Sequence, residues 1–158
     1  MEEQSCQNLW FSFLKGKTML IFQNHTLDEI RAHAVREFPM ECCGVLLGSR
    51  TAGRRSVEQV VPARNAAGTG RKQTHFLIDP LELVRIEEYA LEKGWEIVGF
   101  YHSHPNQEAA ASQEDIAHMI IGYSYPILSV QNGICESVSS FEKTAQQNLS
   151  VRRENIKI

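Results

Sequence analysis

Two histidines one residue apart, in Tyr101-His102-Ser103-His104-Pro105, are followed by six residues and then by Ser112-Gln113-Glu114-Asp115. Residues two apart on a strand point to one face, so the imidazoles of His102 and His104 can converge on a point. Pro105 is then expected to turn the chain out of the sheet. The connection at residues 106–112 is long enough to fold back and bring the first turn of a following helix, with Asp115, over that point. Two imidazoles and a carboxylate supply three N/O ligands and leave the fourth tetrahedral position of a zinc ion for water, the open arrangement of a catalytic site. Because a metal lowers the pKa of water to roughly 7, a positioned carboxylate suffices as the base. Glu41 leads the candidates: it stands in Pro39-Met40-Glu41-Cys42-Cys43-Gly44, at the entry to an apolar run. Glu108, Glu114 and Glu136 rank below it, Glu114 because adjacent helical residues do not share a face.

Each of these residues also has a plainer role. Ser112 and Asp115 match an N-terminal capping pattern, which is compatible with ligation. His-x-His by itself also occurs at solvated strand ends, and a glutamate at a helix-to-strand junction is ordinarily solvated. His25, His33, His75 and His118 lie at loop or helix positions without matching partners and read as surface or packing residues. His118, one turn beyond Asp115, is the one outer-shell candidate among them. Cys42 and Cys43 read as small core side chains. Arg50, Arg54, Arg55, Arg64 and Arg71 are either solvated loop charges or one basic end that attracts an acidic partner.

Holding such a constellation requires a scaffold. Strands are expected at residues 19–22, 43–48, 57–61, 76–78, 95–101, 125–131 and 134–141, with a last one at 155–158. The run at 43–48, apolar throughout and bounded by glycine, should be central and covered on both faces. Helices are expected from Thr26 to Phe38, from Asp79-Pro80 to Gly94, and over residues 112–121. Asn132-Gly133 predicts a type I′ hairpin turn. Helices alternating with strands around a mixed sheet give an α/β or α+β protein.

The chain has 158 residues, 42% of them hydrophobic, enough for a core without disulfides or a structural metal. It is also too short for the barrel that a His-x-His amidohydrolase uses, about 250 residues. A zinc deaminase would need Pro-Cys-x-x-Cys, which is missing. A net charge of −3 argues against a nucleic-acid partner. The four cysteines form no framework and suit a reducing cytoplasm. No apolar run reaches the ~18 residues of a membrane span, so no membrane partner is expected. Residues 1–18 show no sustained period and are expected to be a disordered leader or extension, with a single domain over 19–158.

His102-Ser103-His104-Pro105, six residues and Ser112-x-x-Asp115, with Glu41 upstream before Cys43-Gly-Val-Leu-Leu-Gly48, resembles the JAMM motif of the MPN metalloproteases (Mov34/MPN/PAD-1 family). Arg64-Asn65-Ala66, Phe76-Leu-Ile-Asp79-Pro80 and the Asn132-Gly133 hairpin resemble the compact prokaryotic members. That resemblance implies a mixed, curved sheet flanked by helices, the MPN fold, akin to the cytidine deaminase-like architecture. It implies one zinc per chain on His102, His104 and Asp115, Glu41 as general base and then acid, and Ser112 as oxyanion donor. Ser103 would support the loop. The implied substrate is a ubiquitin-like or sulfur-carrier protein whose diglycine tail binds extended, by strand addition at a sheet edge. A homodimer stays open. The alternatives are a non-catalytic MPN scaffold and a RadC-like, nucleic-acid-related protein.

Overall fold

A computed structural model describes residues 18–145 and 150–158; the expected leader, Thr18 excepted, and Cys6 lie outside them. The elements follow in the order β1 (Met19–Phe22), α1 (Thr26–Glu37), β2 (Cys43–Thr51), β3 (Arg54–Ala63), α2 (Pro80–Glu92), β4 (Glu96–Pro105), α3 (Gln113–His118), β5 (Tyr125–Gln131), β6 (Ile134–Lys143) and β7 (Val151–Lys157). The apolar start of β2 is buried along its first six residues, and the strand lies between β3 and β4, antiparallel to both. β4 pairs parallel with β5, and antiparallel ladders join β5 to β6 and β6 to β7. The class is mixed α+β, and the sheet does more than curve. β1 pairs parallel with both β3 and β7, so the order β1-β3-β2-β4-β5-β6-β7 closes into a barrel.

Period-2 alternation gives this sheet two buried faces. On the inner face, Leu46, Tyr101 and Leu128 cluster with Leu27, Ile30 and Ala34 of α1, and Val98 joins them because the β2–β4 register shifts between Leu46 and Leu47, interrupting the alternation before Gly99. On the outer face, Val45 and Leu47 pack against Ile86 and Ala90 of α2, with Phe100 alongside. His102 and His104 share the parity of Phe100 and so belong to the outer face, beyond the cover of α2. Tyr101 fits on the inner face because its neighbour is Gly44, where a Cβ would stand 2.4 Å from the tyrosine ring.

Several boundaries differ from expectation. Residues 76–78 join no ladder: Leu77 donates to the Asn65 side chain and accepts from Ala66 N–H, so the segment bonds a loop. β4 continues through both histidines to Pro105, which pairs with Val130, and the chain turns instead at Asn106, at φ 53°. α3 stops at His118 because Met119 turns extended and buries its side chain. The hairpin is as expected, Asn132 and Gly133 both having positive φ.

Candidate active site

The end of β4 aims two imidazoles at the first turn of α3. His102 Nε2 lies 3.1 Å from His104 Nε2 and 3.1 Å from Asp115 Oδ1, and His104 Nε2 lies 3.3 Å from Asp115 Oδ2. Tetrahedral zinc with bonds of 2.0–2.1 Å separates its ligand atoms by about 3.3–3.4 Å; the His102–His104 and His102–Oδ1 distances lie near that value, the His104 distance is to the other oxygen, and one donor atom from each residue lies within 4.8 Å of the others. His104 Nδ1 faces the Glu108 carbonyl at 3.0 Å; a carbonyl only accepts, so Nδ1 carries the proton and Nε2 presents its lone pair to the triangle. Asp115 is the third residue of its helix and closes a capping box. Its backbone N–H donates to Ser112 Oγ, while Oδ2 accepts from the Ser112 N–H and hydroxyl at 2.8 and 2.7 Å. One carboxylate thus closes the capping box and also faces both imidazoles, Oδ1 toward His102 and Oδ2 toward His104.

Glu41 reaches the same place from the sheet. Cys43 pairs with His102 and Ser103 N–H donates to the Cys42 carbonyl, so the chain enters β2 beside the end of β4, and Glu41, just ahead of the ladder, lines the same cleft as His104. Ser103 Oγ accepts from Cys42 N–H at 2.8 Å, which ties the two chains at the site's edge. Beyond the ladder, Glu41 N–H donates to the Lys72 carbonyl at 2.7 Å and its carbonyl accepts from Asn65 at 3.1 Å. Glu41, Ser112 and the triangle line one cleft of about 320 Å³.

Burial pushes the Glu41 carboxyl up to about 7, against the pull of His104 and with help from Asp115 and Glu114. Burial acts to raise Asp115 too, but its bonds with His102, His104 and Ser112 outweigh that and hold the carboxyl well below the usual range. Burial lowers His102, opposed by Asp115. For His104 burial also acts downward, yet Asp115 and the Glu108 carbonyl prevail and raise it. Burial lifts Cys42 and Cys43 to about 12, which leaves both thiols protonated and inert as nucleophiles.

Other expectations are redrawn. His118 bonds the Glu114 carbonyl in its own turn rather than a ligand. His75 is no unpartnered surface residue: its Nε2 lies 3.0 Å from Glu114 Oε2, joining the 65–79 loop to α3 across the cleft. His33 packs as expected, with Nδ1 2.8 Å from the Tyr101 hydroxyl. Glu108 offers its carbonyl, not its carboxylate, and Glu136 is an exposed residue of β6. Arg50 and Arg55 do not form a free basic end. Arg50 donates to the Gly122 and Ile97 carbonyls, and Arg55 pairs with Glu142 and Glu154. Phe76, whose ring stacks on His102 at 4.6 Å, and Asn65 enter the sequence only as family matches. Their contacts cross from one segment to another, which local spacing does not reveal.

Among solved structures, that of a protein from Desulfitobacterium hafniense superposes with a TM-score of 0.75 at 31% identity, covering 87% of this chain and 91% of that one. A Thermus thermophilus protein named as a probable TtuB-protein conjugate cleaving protease is 39% identical over 90 residues, 57% of this chain and 56% of the relative. A Haloferax volcanii protein named desampylase is 38% identical over 89 residues, 56% and 61% of the respective chains. The chain thus matches little more than half the length of these curated relatives. Residues 23–141 match the model of the prokaryotic homologs of the JAB domain, and with β4 and α3 bringing the His-His-Asp group together in that span, the chain belongs to this family.

Proposed function

We propose that the chain is a zinc-dependent metallopeptidase that hydrolyses a peptide or isopeptide bond at the C-terminal diglycine tail of a ubiquitin-like or sulfur-carrier protein. The observation that carries this reading is the donor triangle of His102, His104 and Asp115 beside a buried glutamate in one open cleft. The donor set suits zinc: two imidazoles and one carboxylate, with one donor atom from each within 4.8 Å of the others and a capping box that orients the carboxylate. Zinc held there would supply Lewis acidity toward the scissile carbonyl and toward water. Glu41 takes the proton of the attacking water on its carboxylate and delivers it to the leaving amine as the C–N bond breaks, giving a free acid and a free amine. A carboxyl lifted toward neutrality by burial can perform both transfers. The Ser112 hydroxyl, which donates to Asp115 Oδ2, can rotate toward a developing oxyanion and stabilise charge that exists only in the transition state.

Strand addition needs a backbone edge beside the site, and the end of β4 that carries the histidines is already paired with β5 along His102–Pro105. The 76–78 segment supplies one instead. Leu77 bonds the loop on one side, while the N–H and C=O of Phe76 and Ile78 have no hydrogen-bond partner among the described residues. Alternating backbone groups therefore stay open to an extended tail beside His102. The names of the Thermus and Haloferax relatives support a conjugate as substrate. Mass spectrometry of carrier proteins extended beyond their diglycine, incubated with the chain, tests the reading. A cut after the diglycine that a chelator abolishes is the expected result. No cut in any carrier, or a cut indifferent to chelator, refutes it.

A further inference from the structure

Asn65 lies outside the donor triangle, yet its side chain makes every hydrogen bond an amide can make. Nδ2 donates to the carbonyls of Glu41 at 3.1 Å and His75 at 2.9 Å. Oδ1 accepts from the N–H groups of Ala67 at 3.0 Å and Leu77 at 3.2 Å. Two donors and two lone pairs are the whole capacity of the group. The donor half holds the residue assigned as base. The acceptor half helps hold the segment that stacks Phe76 on His102 and leaves the Phe76 and Ile78 backbone open. The same loop returns to Glu41 through the Lys72 carbonyl, so the Glu41 main chain is gripped at both its N–H and its C=O by one loop. Glu41 sits just outside the β2 ladder, where the sheet no longer fixes it and this loop must.

We propose that Asn65 is a positioning residue that sets Glu41 against the substrate-bearing edge at residues 76–78. The proposal rests on the hydrolase reading above. Proton transfer requires the base within about 2.6–3.2 Å of its target, and a displacement near 1 Å can cost on the order of 10²-fold in rate. One amide that bonds both the base's residue and the edge sets that distance directly. Because Asn65 is not a ligand, its loss should act on turnover and leave zinc affinity alone.

Two variants separate the halves of the amide. Asn65→Asp keeps shape and acceptor but replaces the donors with an oxygen facing two carbonyls; Asn65→Ala removes both halves. The probe is a sulfur-carrier protein bearing a short peptide after its diglycine, with zinc affinity read by chelator competition and amide exchange read at Leu77. For Asn65→Asp the expected result is kcat down about 10- to 100-fold with KM changed less than about 3-fold, zinc affinity as in the parent chain and Leu77 still protected. For Asn65→Ala, Leu77 exchanges faster and KM rises as well. Should Asn65→Ala fail to fold, Asn65→Asp carries the test. Parental kcat in Asn65→Asp, or a loss of zinc affinity that accounts for the fall in kcat, overturns the proposal. Glu41→Gln run alongside keeps the two failures apart. If it turns over normally, the role given to Glu41 falls; if it is inactive while Asn65→Asp is not, Asn65 alone falls.

Discussion

The role proposed for Glu41 rests on a carboxylate that water barely reaches and that burial lifts to about 7, and Asp115 is held well below the usual carboxylate range because both imidazoles and Ser112 bond it. Glu41→Gln preserves shape and removes the basic oxygen, so it should retain about one zinc per chain while kcat falls by about 10²–10⁴; metal analysis beside turnover checks both. Asp115→Asn weakens the charge at the triangle and disturbs the helix cap, so chelator competition should show at least a tenfold loss of zinc affinity. His33 answers to pH by a separate route. Burial, aided by Arg36 and opposed by Glu37, holds its pKa below 6.5 in the folded chain. Between that lowered value and about 6.5 the unfolded chain binds more protons, so this contribution is full above about pH 6.5 and is lost as pH falls toward the folded pKa. Urea unfolding at about pH 7.5 and 5.5 should show a steeper loss in the parent chain than in His33→Gln. Equal slopes would remove His33 as the cause.

At the scale of elements, β4 does most of the positioning. Its parity separates Tyr101 and Ser103, inside, from His102 and His104, outside. Gly44 makes that inner placement feasible, since only a missing Cβ admits the Tyr101 ring. Gly44→Ala should therefore destabilise by about 1–3 kcal/mol through overpacking, read as a lowered urea midpoint with an unchanged m-value. α3 is six residues long and buries none of them, too short to persist by its own propensity. It is held by its capping box and by Lys143, which donates to the Ile116 carbonyl at 3.0 Å.

For the molecule as a whole, closure of the barrel is the decisive event, and a buried ionic cluster sits where it happens. Arg55 on β3 reaches Glu142 of β6 and Glu154 of β7, the latter carboxylate fully buried, at 3.2 and 3.3 Å. Removing one member of such a cluster strands the others, so Arg55→Ala should cost roughly 3–5 kcal/mol, measured by urea unfolding. A change below about 1 kcal/mol would show that the cluster does not hold the seam.

From the sequence alone, the His-x-His and Ser-x-x-Asp spacings, the buried run at 43–48, the hairpin and the mixed class could be read, because each depends on residues within one turn or one strand of each other. The tertiary structure alone decided the rest. Barrel closure joins β1 to β7, whose paired residues Met19 and Asn155 lie at opposite ends of the chain. The partners of Arg50, Arg55, His75 and Phe76 lie on segments distant in sequence. The triangle's spacing, and the loop that grips Glu41, likewise exist only after those segments meet. Local pattern encodes which face a residue takes, whereas contact between remote segments depends on how the faces are brought together.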